Sequence, residues 1–190
     1  MAKTRTFIAV EASDGVHTQA QQVISRLRPH AEQVKWVEPE NLHWTLQFLG
    51  DLTDEEIAEV CRRVQRVASR LEPFSLAARG IGAFPKSDRP RTLWLGVGEG
   101  SDEFCQLQAA IERNLEDLGF RGELRKFVPH LTLGRVGSRT GNQAGLISEL
   151  NHLSDFDGGA MSVDEVVVFA SRLSRSGATY VPLSHSRLGE

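Results

Sequence analysis

His43-Trp44-Thr45-Leu46-Gln47-Phe48 and His130-Leu131-Thr132-Leu133-Gly134-Arg135 decide the reading of this 190-residue chain, because they carry one pattern written twice. A shift of 87 positions takes residue 43 to residue 130. Without a gap, it also lays Phe7-Ile8-Ala9-Val10 on Trp94-Leu95-Gly96-Val97, Gly50 on Gly137, Phe74-Ser75-Leu76 on Met161-Ser162-Val163, and Leu93-Trp94 on Tyr180-Val181. Such a period is too long for a solenoid and points to two similar lobes about an approximate twofold axis. Residues 1–190 are therefore read as a single bilobal domain, with repeats of approximately 5–91 and 92–183.

Local signals place the elements. Residues 5–10 and 92–97 are short apolar runs bounded by charge or glycine, as strands are. Val16, Ala20, Val23 and Leu27 recur at helical spacing until Pro29. Thr53 and Glu56 form a capping box ahead of Ile57, Val60, Val64, Val67 and Leu71, with Pro73 as the stop. Ser101 is expected to cap a helix with Phe104, Leu107, Ile111, Leu115 and Leu118 on one face and Gly119 at its end. A weaker helix runs from about Asn142 to Leu153. Strands over 74–80 and 162–169 are each followed by a loop and another strand, 92–97 or 179–183. Hairpins following helices predict an α+β fold: two pseudo-symmetric lobes, each a mainly antiparallel sheet with helices outside, and an active site in the cleft between them.

Composition narrows the function. With 25 acidic and 22 basic residues the formal charge is −3, so a partner held by overall electrostatics is disfavoured and phosphate binding must be local. The apolar run near the N-terminus is too short for a signal peptide, and no stretch is long enough to span a membrane. Cys61 and Cys105 lie in helical patterns without metal-ligand spacing. A cytoplasmic protein with reduced thiols, no cofactor, no metal, no obligate protein partner and a monomeric state is the expectation.

On a strand, His43 and Thr45 share one face, as do His130 and Thr132. Each pair offers an imidazole and a hydroxyl to one ligand oxygen. Two such platforms across a cleft supply one acid and one base. Phosphodiester chemistry requires both: one group takes a proton from the nucleophile while the other protonates the leaving oxygen. The repeat is symmetric, so spacing alone does not say which histidine is the acid. Phe48 and Arg135 lie five residues after their histidines, and strict alternation puts them on the opposite face. Either the strands bulge or end near Gln47 and Gly134, or these side chains miss the cleft. Phe48 as a core aromatic is the competing reading.

The two motifs resemble those of the two-histidine phosphoesterase superfamily, and more narrowly its RNA 2′,3′-cyclic phosphodiesterases, also called 2′-5′ RNA ligases. The likeness extends to Thr6-Phe7-Ile8-Ala9-Val10, Asn41-Leu42, Phe48-Leu49-Gly50, Trp94-Leu95-Gly96-Val97 and Ser171-Arg172-Leu173. It implies His43 as general acid, His130 as general base, Thr45, Thr132 and Arg135 as phosphate ligands, Phe48 stacked on the terminal base, and RNA with a 2′,3′-cyclic phosphate end as substrate. A 2′-phosphate would be the product, and 2′-5′ joining the reverse reaction. A small cyclic nucleotide or cyclic ADP-ribose phosphate is the alternative substrate, and a non-catalytic RNA-binding module the alternative class. His17, His30, His152 and His185 have no repeat partner and read as surface residues, while Arg172 is either an RNA-backbone contact or a solvated charge.

Overall fold

The computed structural model describes residues 3–120, 122, 126–137, 143–174 and 177–190. Its strands are β1 (Thr4–Glu11), β2 (Val34–Trp36), β3 (His43–Leu52), β4 (Phe74–Lys86), β5 (Arg89–Val97), β6 (His130–Val136), β7 (Asp157–Val163), β8 (Glu165–Ser174) and β9 (Gly177–Arg187). Its helices are α1 (Asp14–Leu27), α2 (Asp54–Ala68), α3 (Ser101–Leu115) and α4 (Ala144–His152).

Capping and periodicity account for the helices. The Thr53 hydroxyl accepts from the Glu56 backbone N–H, and the Glu56 carboxylate accepts from the Thr53 N–H at 2.7 Å, closing the expected box on α2. Ser13 caps α1, which gives way to a short 3₁₀ turn, Arg28–His30, around Pro29. Gly119, at φ 88°, closes the turn after α3. The cap of α3 differs from the expectation: Ser101 is the first helical residue and Gly100 precedes it, at φ 82° and without a side-chain cap. A Cβ at residue 100 would stand 2.2 Å from the Ser75 carbonyl, so the chain turns there against β4 too closely for any side chain. The start of the expected fourth helix, Asn142, lies outside the described residues.

Every strand pairing is antiparallel, in the order β7-β4-β5-β6-β3-β1-β8-β9, with β2 beside β6. The strand expected over 162–169 is instead two strands that part at Asp164. β7 joins β4 and β8 joins β1. The sheet thus has two halves, β3-β1-β8-β9 and β6-β5-β4-β7, each drawing strands from both repeats. They meet where Trp44 pairs with Leu131, and far from that seam Ser75 pairs with Ser162. Both pairs join residues 87 positions apart. An antiparallel ladder that pairs a residue with its own repeat counterpart places a local twofold axis through the pair.

One face of the sheet packs on the helices. Trp44, Leu46, Leu93, Leu95, Leu131 and Leu133 are buried there with Val16, Val60, Phe104 and Leu146. Phe7, Ala9, Val167 and Phe169 form a second cluster, joined by Tyr180, to which no described helix contributes. Among the described residues no helix is long and apolar enough to cross a membrane.

Candidate active site

The two motif strands share one irregularity. In the β1/β3 ladder Ala9 pairs with Thr45 but Ile8 with Gln47, leaving Leu46 over. In the β5/β6 ladder Trp94 pairs with Thr132 but Leu93 with Gly134, leaving Leu133 over. These are β-bulges at equivalent positions, and each shifts the alternation by one residue. Consecutive residues are buried as a result, Leu46-Gln47 and Leu133-Gly134, and the next side chains, Phe48 and Arg135, emerge on the histidine face. The geometric objection to these two residues is thereby removed. Phe48 is 59% exposed, so the core reading of this aromatic is overturned. The first bulge needs no glycine, since among the described residues no non-glycine residue has positive φ. In the second lobe Gly134 is required for another reason: a Cβ there would lie 2.6 Å from Val34 Cγ1 and 2.9 Å from Trp36 Cε3.

Each histidine is held in the same way. His43 Nδ1 lies 2.7 Å from the Asn41 carbonyl oxygen and His130 Nδ1 2.7 Å from that of Val128, both two residues upstream. A carbonyl only accepts, so Nδ1 carries the proton in both rings, and Nε2 is the atom that gains or gives one. The pairing of Trp44 with Leu131 sets the histidines on either side of the seam, and the same register brings His43 toward Thr132 and Thr45 toward His130.

Their surroundings differ. His43 packs against Phe7 at 4.9 Å and edge-on to Tyr180 at 5.2 Å, with Phe169 at 6.4 Å. Burial among these rings pushes its pKa down to about 4. The Asn41 carbonyl opposes that shift, and charge on His130 adds to it. His130 meets Phe84 edge-on at 4.9 Å. Tyr180 is raised by burial and drawn back by the Arg135 and Arg5 guanidiniums, which therefore lie within electrostatic reach of its hydroxyl.

Two adjoining cavities open on this face. His43, Arg5, Asn41 and Tyr180 line one of about 470 Å³. His130, Phe84, Phe127 and Gln108 line the other, of about 400 Å³. Thr45, Phe48, Thr132 and Arg135 line both, so the six residues singled out in the sequence line two cavities that share these four, with one histidine in each. Arg172 does not line it: Ser171 does, and the adjacent side chain points to the other face. His30, His152 and His185 are exposed as expected, whereas His17 is half-buried on α1. The aromatic setting of the histidines, Phe7, Phe84, Phe169 and Tyr180, carried no motif. The 87-residue shift had aligned Phe7 with Trp94 and Tyr180 with Leu93, but only as apolar strand residues.

The family described as LigT like phosphoesterase matches residues 10–94 of the chain and again residues 95–180. A protein of Methanothermobacter thermautotrophicus named RNA 2′,3′-cyclic phosphodiesterase is 37% identical over 187 residues, 98% of this chain and 100% of that one. A Thermotoga maritima protein of the same name is 34% identical over 176 residues, 93% of this chain and 91% of its own length. Among solved structures, TT0787 of Thermus thermophilus superposes with a TM-score of 0.82 at 26% identity, covering 97% of this chain and 98% of the other. E. coli LigT complexed with 3′-AMP superposes with a TM-score of 0.76 at 25% identity, covering 99% of both.

Proposed function

The chain belongs to the LigT-like phosphoesterase family, and from that premise we propose that it hydrolyses the 2′,3′-cyclic phosphate at an RNA end to a 2′-phosphate, with His43 and His130 as its acid and base. The observation that supports this most directly is the matched pair of imidazoles, each with Nδ1–H tied to a carbonyl, which makes Nε2 the nitrogen that transfers the proton.

His130 takes a proton from water as its oxygen bonds to phosphorus. The P–O3′ bond breaks and His43 protonates the departing O3′, leaving the phosphate on O2′. Thr45 and Thr132 donate hydrogen bonds to the non-bridging oxygens. Arg135, with two parallel donors, meets the charge that accumulates on them in the transition state. Phe48, exposed beside this station, stacks on the terminal base, an interaction every base can make. A 5′-hydroxyl in place of water would follow the same steps, with O3′ again the leaving oxygen, to a 2′-5′ linkage.

The test is turnover of an RNA ending in a 2′,3′-cyclic phosphate, with chelator present and the product identified. Release of a 2′-phosphate is expected. Removal of either imidazole, His43→Ala or His130→Ala, should cost ~10²–10⁴-fold in kcat, the usual weight of a proton-transfer group. Wild-type turnover in either variant sinks the assignment.

A further inference from the structure

Arg135 has a neighbour that this mechanism leaves unused. β2 lies along β6 with Lys35 directly opposite Arg135, and Thr92 of β5 stands opposite Arg135 on its other side. Opposed residues of an antiparallel ladder project from the same face, so Lys35 stands on the face of the sheet that carries Arg135. Its neighbours agree: Val34 and Trp36 close over Gly134 on the reverse face, while Val37, two residues beyond Lys35, lines the His43 cavity. Lys35 itself is exposed.

Like charges placed directly across a ladder repel. Among the described residues neither Lys35 nor Arg135 forms an ion pair with a carboxylate, and Arg135 donates only to Thr92 Oγ1, at 3.4 Å. The other lobe is arranged differently. Its cavity-lining cation, Arg5, has a carboxylate residue, Asp51, rather than a second cation opposite it in the β1/β3 ladder. On one side of the cleft a cation thus stands opposite a carboxylate residue, and on the other two cations stand opposite each other.

We propose that Lys35 holds the phosphate one nucleotide upstream of the cyclic phosphate, so that the RNA leaves the cleft across β6 and β2. The inference rests on the phosphodiesterase reading and names the feature that would favour an oligonucleotide over a cyclic mononucleotide. The division of labour suits the two side chains. The reacting phosphate is met by a planar two-donor guanidinium, whereas an unreactive linking phosphate needs only a point charge on a flexible stem. Cross-strand neighbours stand ~5 Å apart, and the lysine stem widens that spacing to span successive phosphates.

A lysine on an edge strand can also serve merely to prevent strand-to-strand association, and the experiment separates the two roles. Wild type, Lys35→Ala and Lys35→Glu are compared on a 2′,3′-cyclic mononucleotide and on a tetranucleotide ending in a cyclic phosphate. In parallel, binding of a fluorescent tetranucleotide 2′-phosphate is followed by anisotropy across a salt series. Mononucleotide kcat/KM should not change in Lys35→Ala, whereas Lys35→Glu, which sets a carboxylate opposite Arg135, should lower it as well. On the tetranucleotide it should fall about threefold to tenfold for Lys35→Ala and further for Lys35→Glu, with the salt slope of binding shallower by about 0.7. Equal losses on both substrates in Lys35→Ala, or unchanged tetranucleotide turnover and anisotropy, overturn the proposal. Wild-type protein that turns over neither substrate overturns the phosphodiesterase reading instead, and the anisotropy series then decides Lys35 alone.

Discussion

A histidine whose pKa lies near 4 is neutral at pH 7, and it can protonate a leaving group only once something nearby makes the proton worth holding. For His43 the depressing influence is the loss of water beneath Phe7, Phe169 and Tyr180. A phosphodiester anion bound between the lobes would bring the opposite charge to that dry site and raise the pKa again. Substrate binding is then coupled to proton uptake at one ring. Proton NMR of His43 should show a midpoint near 4 in the free protein and a clearly higher one with a nucleoside 2′-phosphate bound. A midpoint unmoved by the ligand would reverse the roles, making His43 the base. The two assignments also differ in sign: kcat/KM declines as pH rises through about 4 if the free enzyme must carry the proton, and as pH falls through it if the ring must be bare.

At the scale of the element, the bulges at Leu46 and Leu133 turn a pair of ordinary strands into a site. Without them Phe48 and Arg135 would point into the helical core, where a guanidinium has no place. The second bulge also depends on β2, since Gly134 is the spot on which Val34 and Trp36 rest. Gly134→Ala places a methyl within 3 Å of both and should destabilise the protein by ~1–3 kcal/mol, as overpacking does. Because the same shift displaces Arg135, kcat should fall as well. Urea denaturation and steady-state kinetics on one preparation check both, and unchanged stability would show that β2 can yield at no cost.

For the whole molecule, the buried imidazole makes folding sensitive to acid. His43 titrates near 6.5 when unfolded and near 4 when folded, so between those values the unfolded chain holds a proton that the native state refuses. Stability from this source is complete above pH 6.5 and is lost as pH falls toward 4, by on the order of 2 kcal/mol after allowance for the ring's partial exposure. Denaturation midpoints at pH 7 and pH 4.5 should converge in His43→Gln relative to wild type, and equal pH dependence in the two proteins would show that the ring is better solvated than its neighbours suggest. What the sequence determined by itself was local or repeated. The Thr53 box, the helical apolar spacings and the duplicated His-x-Thr each depend on residues a few positions apart or on a pattern that can be laid on itself. Tertiary structure alone decided that β4 and β8 cross to the opposite repeat, that 162–169 parts at Asp164, and that bulges turn Phe48 and Arg135 outward. It alone also packed one histidine against aromatic rings and set Lys35 beside Arg135. Each of these outcomes follows from contacts between strands distant along the chain, where packing rather than spacing selects the conformation.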